Sequence, residues 1–571
     1  MDWPDLRADL FDPQKVPFSR RGSFIAISWL AEDAAFWLRN LRGGDEHTDL
    51  GRMLRLDLLD TQGAIIDAQW SLTPDCLTAR TRDGAIHLSF DGPDRLVFRG
   101  NGPGLRLSTG ASKYNYAQSA PGHVHVCIAR QDLRCNIALE VGGLNLGAVW
   151  NGLSSDQIKL DLQPASGALE GRIDLFRIDP IGAPFHTQPQ AAQRIADEFA
   201  DFRNALPKGG PEFAAGHLLA SYILWSAYVP AEGALAHPAI YMSKNWMTNI
   251  WSWDHCFVAI ALGKDSPDLA FEQMQAIFAA QSVSGRLPDY INDRYAYWAF
   301  TKPPVHGWTF AQLRKLAPEY YTRQRKRQVL HWLDWQTRFW LSGPCLGDLP
   351  AYRHGNDAGW DNATCFAEGG PLVGPDLATF LILQLDEITR LHTELGNIAQ
   401  ARTTHQQADE LCKALLTDLW DGAGFVARLQ NDGRVVTTGQ SLLLFLPLLL
   451  GTRLPAEMRA TLLSRLLRPG QYLTEHGLAT EATDSPLYRA NGYWRGPIWA
   501  PTTALFVDAL NRCGEHAAAR AIALRYCQMC NSAGMAENHD ALTGQGLHDP
   551  AFAWTSAVFL RLGESLLASD A

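Results

Sequence analysis

The chain has 571 residues, 46% hydrophobic and 19% charged, with a formal net charge of −10. That length exceeds what one hydrophobic core usually organises, so two or more domains are expected. The acidic balance excludes a nucleic-acid binder, which needs a basic surface to displace counterions from phosphates.

The N-terminus, from Met1 to Asp9, is acidic and carries no basic region followed by an apolar run, so no secretion signal is read there. From about Ser23 to Ile181, runs such as Met53–Leu58, Ile86–Phe90 and His123–Ile128 alternate apolar with polar residues between turn-forming Gly, Pro and Asp. Such alternation marks half-buried antiparallel strands, and their close spacing predicts an N-terminal β-sandwich over residues 1–186. The stretch Gln190 to Asn204 places Ala191, Ile195, Phe199 and Phe202 at helical spacing, predicting a connector helix within a linker at 187–211.

Beyond Pro211 the period stays helical, and the fold expected is mainly α. Helices are predicted at Phe213–Tyr228, Asp268–Ala280, Arg323–Phe339, Pro375–Leu395 and Ala399–Trp420. Further ones fall at Gly439–Leu450, Ala456–Leu466, Pro501–Cys513, Ala517–Ser532 and Ala553–Leu566. Long loops rich in Gly, Pro and Trp separate them: Tyr241–Trp253, Ser284–Trp308, Pro344–Pro371 and Tyr472–Trp499. Alternating short and long loops suit an (α/α)6 toroid over residues 212–571, with the functional segments gathered on the long loops.

The longest apolar block, Leu442 to Leu450, contains Pro447 and falls short of the roughly 20 residues of a membrane span. Ten scattered cysteines form no disulfide framework; the lone CxxC of Cys527 and Cys530 reads as thiols buried on a helix. A cytoplasmic protein is expected, without membrane or nucleic-acid partner and of open oligomeric state.

The loops carry the chemistry. Trp251-Ser252-Trp253-Asp254-His255 sets indoles beside an acidic residue at a helix start; Asp254 either caps that helix or accepts from sugar hydroxyls. A second loop holds Asn292, Lys302 and His306. In Gly355–Asn362, Asp361 stands between Trp360 and Asn362, where apolar surroundings would keep its proton near neutrality; Asp357 and Glu368 are rivals in that loop. Tyr493-Trp494-Arg495-Gly496-Pro497-Ile498-Trp499 offers a planar guanidinium between indoles. Glu537 follows, ahead of Trp554, with His539 and Asp540 as local alternatives. Two carboxylates flanked by indoles and amides are what cleavage of a glycosidic bond requires, one to protonate the leaving oxygen and one to activate water or attack the anomeric carbon. No metal-ligand spacing stands out, and neither a metal nor an organic cofactor is expected.

In their order, Trp253-Asp254, Gly359-Trp360-Asp361-Asn362, Tyr493–Trp499 and Glu537-Asn538 before Trp554-Thr555 resemble the trehalase and mannosyl-oligosaccharide glucosidase group. The resemblance is to glycoside hydrolase family 63 and its mannosylglycerate hydrolase-like branch, from about Ala239 to the C-terminus. It implies an inverting, exo-acting α-glycosidase, an α-glucosidase in particular, acting on a small carbohydrate. Asp361 would be the general acid and Glu537 the general base. Trp253, Asp254, Asn292, Trp360, Asn362, Tyr493, Trp494, Arg495, Trp499 and Trp554 would bind substrate. Lys302 stands in Phe300–Pro304, where trehalases read Arg-Ser-Gln-Pro-Pro. It would meet an anionic aglycone such as a glycerate, or form a structural ion pair. The rival readings are an epimerase or lyase on the same scaffold, which would rely on His or Tyr bases, and a carbohydrate-binding protein without turnover.

Overall fold

The computed structural model describes residues 3–44, 49–180, 182 and 184–568. Met1 and Asp2, read for a leader, residues 45–48, 181 and 183 of the expected sandwich, and residues 569–571 of the expected toroid lie outside them. The described residues form two compact units. One comprises the chain up to Asn204 with Ser221–Pro230 and Ser243–Thr248; the other comprises Ala205–Ala220, Ala231–Met242 and the chain from Asn249 on.

The first unit contains two eight-stranded sheets. One runs in the order Phe18–Ser19, Ile25–Leu30, Ala35–Asn40, Arg52–Leu59, Gly104–Ser108, Ser155–Gln163, Gly143–Trp150, with Ile65–Ile66 added on Arg52–Leu59. The other runs Tyr116–Ala120, His123–Ile128, Leu133–Val141, Ala168–Phe176, Arg95–Asn101, Ala85–Phe90, Cys76–Arg80, Gln69–Thr73. Neighbours pair antiparallel, as Leu105↔Leu162 and Leu88↔Phe98 illustrate. Alternation read from the sequence becomes alternation in burial: Val124, Val126 and Ile128 are buried while His123, His125 and Cys127 are half-buried. Gln188–Asn204 is helical and packs on Ala85–Phe90 and Arg95–Asn101, burying Ala191, Ile195, Phe199 and Phe202.

In the second unit, six segments close a ring by successive contact: Asp254–Leu262, His306–Leu316, Pro375–Leu395, Leu442–Arg453, Ala500–Arg512, Ala553–Ala568, and back to the first. Further helices lie against ring members, among them Pro267–Phe278, Ile398–Asp418, Ala456–Leu466 and His516–Ala533. Local chemistry sets the ends. Pro375–Leu395 begins on proline, whose missing N–H costs nothing there, and stops at Gly396 with φ +86°. Gly307 lets two ring helices approach, because a Cβ there would stand 2.3 Å from Gln384 Cα.

Three expectations need correction. The fold is not mainly α, since strand accounts for 24% against 38% helix. The segment expected as helix Gly439–Leu450 is a 3-10 segment, Leu442–Arg453, because Pro447 lacks a donor and Gly451 breaks the run at φ 55°, ψ −119°. The loop expected to run to Trp308 ends earlier, at helix His306–Leu316. Among the described residues, no helix is long and apolar enough to cross a membrane.

Candidate active site

The site residues stand at the starts of ring segments. Asp254 opens one helix, Trp499 precedes Ala500–Arg512, and Trp554 is the second residue of Ala553–Ala568. Short ladders pin the loops between. Ile250–Trp251 pairs with Tyr290–Ile291, which pairs with Ala296–Tyr297. Ile498↔His539 and Trp499↔Asn538 bring Glu537 beside the Tyr493–Trp499 motif.

Asp361 is joined to that motif by Asn362, whose Nδ2 donates to Gly492 O at 3.1 Å while its Oδ1 accepts from Trp494 N at 3.0 Å. Gly359, at φ +72°, turns the acid loop onto Trp253; a Cβ there would meet the indole at 2.6 Å. The Asp361 side chain remains 35% exposed and borders a cavity of ≈ 350 Å³ lined also by Arg353, His354, Asn362 and Arg495. Burial raises its pKa, against the pull of Lys302.

Glu537 is buried. Its Oε1 accepts from Tyr493 Oη at 2.9 Å, and its backbone carbonyl accepts from Trp554 Nε1 at 3.0 Å. Burial pushes its carboxyl up to about 8; Asp549 adds to the rise and the Tyr493 hydrogen bond opposes it. Tyr493 adopts φ +62°, a left-handed conformation uncommon for a residue with a side chain and here fixed by the surrounding motif.

Five indoles form one aromatic body. Trp494 and Trp499 stack at 4.0 Å and 4°, Trp360 lies 5.0 Å from Trp494, and Trp253 and Trp554 meet edge to face at 6.0 Å. Trp499 gives its N–H to Tyr493 O at 3.0 Å. The polar atoms of Asn292 are likewise engaged, donating to Asn249 Oδ1 at 2.9 Å and accepting from Arg294 N at 2.8 Å and Tyr295 N at 3.1 Å. Asn292, Asn362, Trp499 and Trp554 each make hydrogen bonds within the protein that fix the shape of the site, and Asn362 also lines the cavity beside Asp361.

Lys302, for which an anionic aglycone and a structural ion pair are both expected alternatives, is engaged by protein carboxylates. It is buried, 3.0 Å from Asp289 Oδ1, 3.8 Å from Asp361 Oδ1 and 3.0 Å from Asn356 O, with a further contact to Asn356 Oδ1. Burial works against its charge, but Asp361 and Asp289 hold its pKa up. The ion-pair alternative is the one the geometry contains. Asp289, an acceptor not singled out by sequence, has its pKa raised by burial and lowered by Lys302. The sequence shows only that Asp289 precedes Lys302 in the same long loop, and that carries no signal of a pair.

The rival carboxylates are tied up elsewhere. Asp357 accepts from Thr301 N and Arg353 N, at 3.0 and 3.2 Å. Glu368 pairs with Arg434 and accepts from Thr438. Asp540 caps a turn, accepting from Leu542 N at 2.7 Å and Thr543 N at 3.0 Å, and His539 bonds Gly534 O at 3.1 Å. By contrast, Asp254 Oδ1, Trp360 Nε1 and Arg495 Nε are buried with no hydrogen-bond partner in the protein, and Asp361 meets only Lys302, at 3.8 Å, and the side chain of Trp494. Buried polar atoms are normally satisfied, so these orphans around one pair of carboxylates mark a place where a polyhydroxylated ligand completes the network. Burial also raises the Asp254 pKa well above the ordinary range.

Comparison with known proteins agrees. The family of mannosylglycerate hydrolase MGH1-like glycoside hydrolase domains matches residues 247–555. A mannosylglycerate hydrolase of Rubrobacter radiotolerans is 23% identical over 54% of this chain and 89% of its own. A periplasmic trehalase of Xanthomonas campestris is 24% identical over 58% of this chain and 69% of its own. Among solved structures, a bacterial glucoamylase complexed with acarbose superposes over 100% of this chain and 96% of its own, with TM-score 0.64 and 12% identity. The glycoside hydrolase family 63 mannosylglycerate hydrolase of Thermus thermophilus, complexed with Tris, covers 60% of this chain and 98% of its own, with TM-score 0.51 and 19% identity. The chain is thus a glycoside hydrolase on a fold shared with such enzymes. It belongs to the MGH1-like family, within the mannosylglycerate hydrolase branch of family 63, whose members invert configuration.

Proposed function

We propose that this chain is an exo-acting α-glycosidase, an α-glucosidase in particular, built on an (α/α)6 toroid over residues 212–571 that follows, in sequence, a sandwich domain (1–186) and a linker (187–211). Asp361 protonates the leaving oxygen while Glu537 removes a proton from the attacking water. Asp254 and the N–H group of Trp360 hold hydroxyls of the cleaved unit. The observation that carries the reading is the convergence of Asp361, Glu537 and the orphaned polar atoms on one set of loops. A transition state with oxocarbenium character is stabilised by such pre-placed carboxylates and dipoles.

The leaving group is proposed to be small and anionic, of the glycerate type. Arg353, His354 and Arg495 line the cavity beside Asp361, on the side a departing group must occupy. A planar guanidinium suits a carboxylate better than an ammonium does. Two relatives are named for mannosylglycerate and trehalose, which brackets the panel to test. We also place the protein in the cytoplasm, on its ten free thiols.

The test is proton NMR of the first minutes of hydrolysis of α-glucosylglycerate, α-mannosylglycerate and trehalose. Release of the β-anomer first, fastest from a glycerate, supports the reading; an initial α-anomer, or no release from any of the three, contradicts it.

A further inference from the structure

Three donor side chains meet in the core of the helical unit and take no part in the chemistry above. His255 and Cys256 lie in the first turn of one ring helix, and His306 opens the next, so ring closure brings together residues far apart in sequence. All three are 0% exposed. One donor atom from each lies within 4.8 Å of the other two, and Cys256 Sγ stands 3.7 Å from His255 Nε2. With zinc–ligand lengths of about 2.3 Å to sulfur and about 2.1 Å to nitrogen, that separation subtends roughly 114° at a shared ion, close to tetrahedral.

The outer contacts fit the same purpose. His255 Nδ1 meets the carbonyl of Trp251 at 3.0 Å, which fixes the proton on Nδ1 and leaves the Nε2 lone pair facing the thiol. His306 Nδ1 meets the side-chain amide of Gln336 at 3.0 Å. His306 Nε2 is buried without a hydrogen bond of full geometry, and the ring's remaining interaction is with the backbone of Ser252, a contact that a bound ion would replace; Gln336 Oε1 is buried without a partner. Exchanging the amide oxygen and nitrogen of Gln336, an assignment that rests on the hydrogen-bond network, makes His306 Nδ1 a donor and frees Nε2 as a ligand. Imidazoles that bind metals are held this way, by the second nitrogen donating to a carbonyl.

We propose that His255, Cys256 and His306 form a structural site for a thiophilic cation of the zinc class, joining the starts of two neighbouring ring helices beside Trp253 and Asp254 in sequence. Cys256 binds as the thiolate, and its proton passes to solvent when the ion enters. Two imidazoles and a thiolate select against hard cations such as magnesium and calcium. The site rests on none of the catalytic assignments, and its test does not read activity.

The full-length protein is produced in zinc-supplemented and in cobalt-supplemented medium, purified under reducing conditions without chelator, and analysed for metal. About one equivalent of zinc per chain, and a thiolate-to-cobalt charge-transfer band in the cobalt form, are expected. Cys256→Ser and His306→Gln should each lower bound metal by roughly tenfold or more. The cobalt band is read on the wild type, so it stands even where a variant fails to fold. A wild-type protein that holds neither zinc nor cobalt, or variants that bind as much metal as wild type, overturn the site.

Discussion

The loop that carries Asp361 and the ladder that carries Glu537 hold their carboxylates by different means. Asp361 is partly exposed, borders a cavity lined by arginines, and has Lys302 at 3.8 Å. Glu537 is sealed, with Tyr493 donating to one oxygen and two bonds fixing its main chain, from Trp554 Nε1 to its carbonyl and from its own N–H to Asp549 O. An acid must reach a leaving group that has to depart, which needs an open side; a base must hold a single water, which suits an enclosed one. The electrostatics taken alone run the other way, because burial pushes Glu537 to about 8 and Lys302 moderates the rise at Asp361. Access and family resemblance weigh more here, since a singly protonated pair titrates as a unit and the productive tautomer, with the proton on Asp361, need only be accessible.

The largest effect should follow from removing either carboxylate. Asp361→Asn and Glu537→Gln should each lower kcat on an unactivated α-glycoside by about 10²–10⁴, the range of general acid–base catalysis, without loss of fold. Steady-state kinetics with circular dichroism on both variants checks this.

Next in size is the cation on the acid side. Lys302→Met leaves Asp289 buried without its partner, which should cost about 3–5 kcal/mol of stability. Calorimetry should show a lowered Tm, and Asp289→Asn in the same chain should restore part of it, because the uncompensated charge is removed. An unchanged Tm in Lys302→Met would show that the pair contributes nothing to the fold.

On the base side, Tyr493→Phe removes a donor that favours ionised Glu537, so the carboxyl pKa rises further. The base must be ionised, hence the acidic limb of the kcat/KM profile should move to higher pH, by roughly one pH unit for a hydrogen bond to a charged group. A limb that stays in place would detach Glu537 from that titration.

The smallest effect is expected at the cavity rim. Arg353→Ala should raise KM about tenfold for a glycerate aglycone, a charge-assisted contact, and leave an uncharged aglycone unaffected. Equal losses on both substrates would place the anionic group elsewhere.

Much of this contrast is legible in the sequence wherever local chemistry decides. Asp361 and Glu537 stand out because tryptophan, amide and glycine beside a carboxylate in a long loop have few structural uses. The strands at Ile86–Phe90 and His123–Ile128 are visible because alternation survives as burial. The helix His306–Leu316 is not, because a sequence opening on His-Gly-Trp reads as more loop and its packing is supplied by Gln384 on the neighbouring ring helix. The intramolecular bonds of Asn292 and Asn362 are not legible, since an amide in a polar loop does not reveal which protein groups it also meets. The Asp289–Lys302 pair depends on how one long loop folds, and the cluster of His255, Cys256 and His306 on ring closure; neither leaves a local pattern.

The division of labour between the two carboxylates is tested most directly by leaving-group dependence. Each variant is assayed on an α-glycosyl fluoride, whose departure needs little protonation, and on the corresponding unactivated glycoside. Asp361→Asn should lose much less on the fluoride than on the glycoside, whereas Glu537→Gln should lose heavily on both. The reverse pattern, with Glu537→Gln rescued by the fluoride and Asp361→Asn not, would exchange the two roles and overturn the assignment.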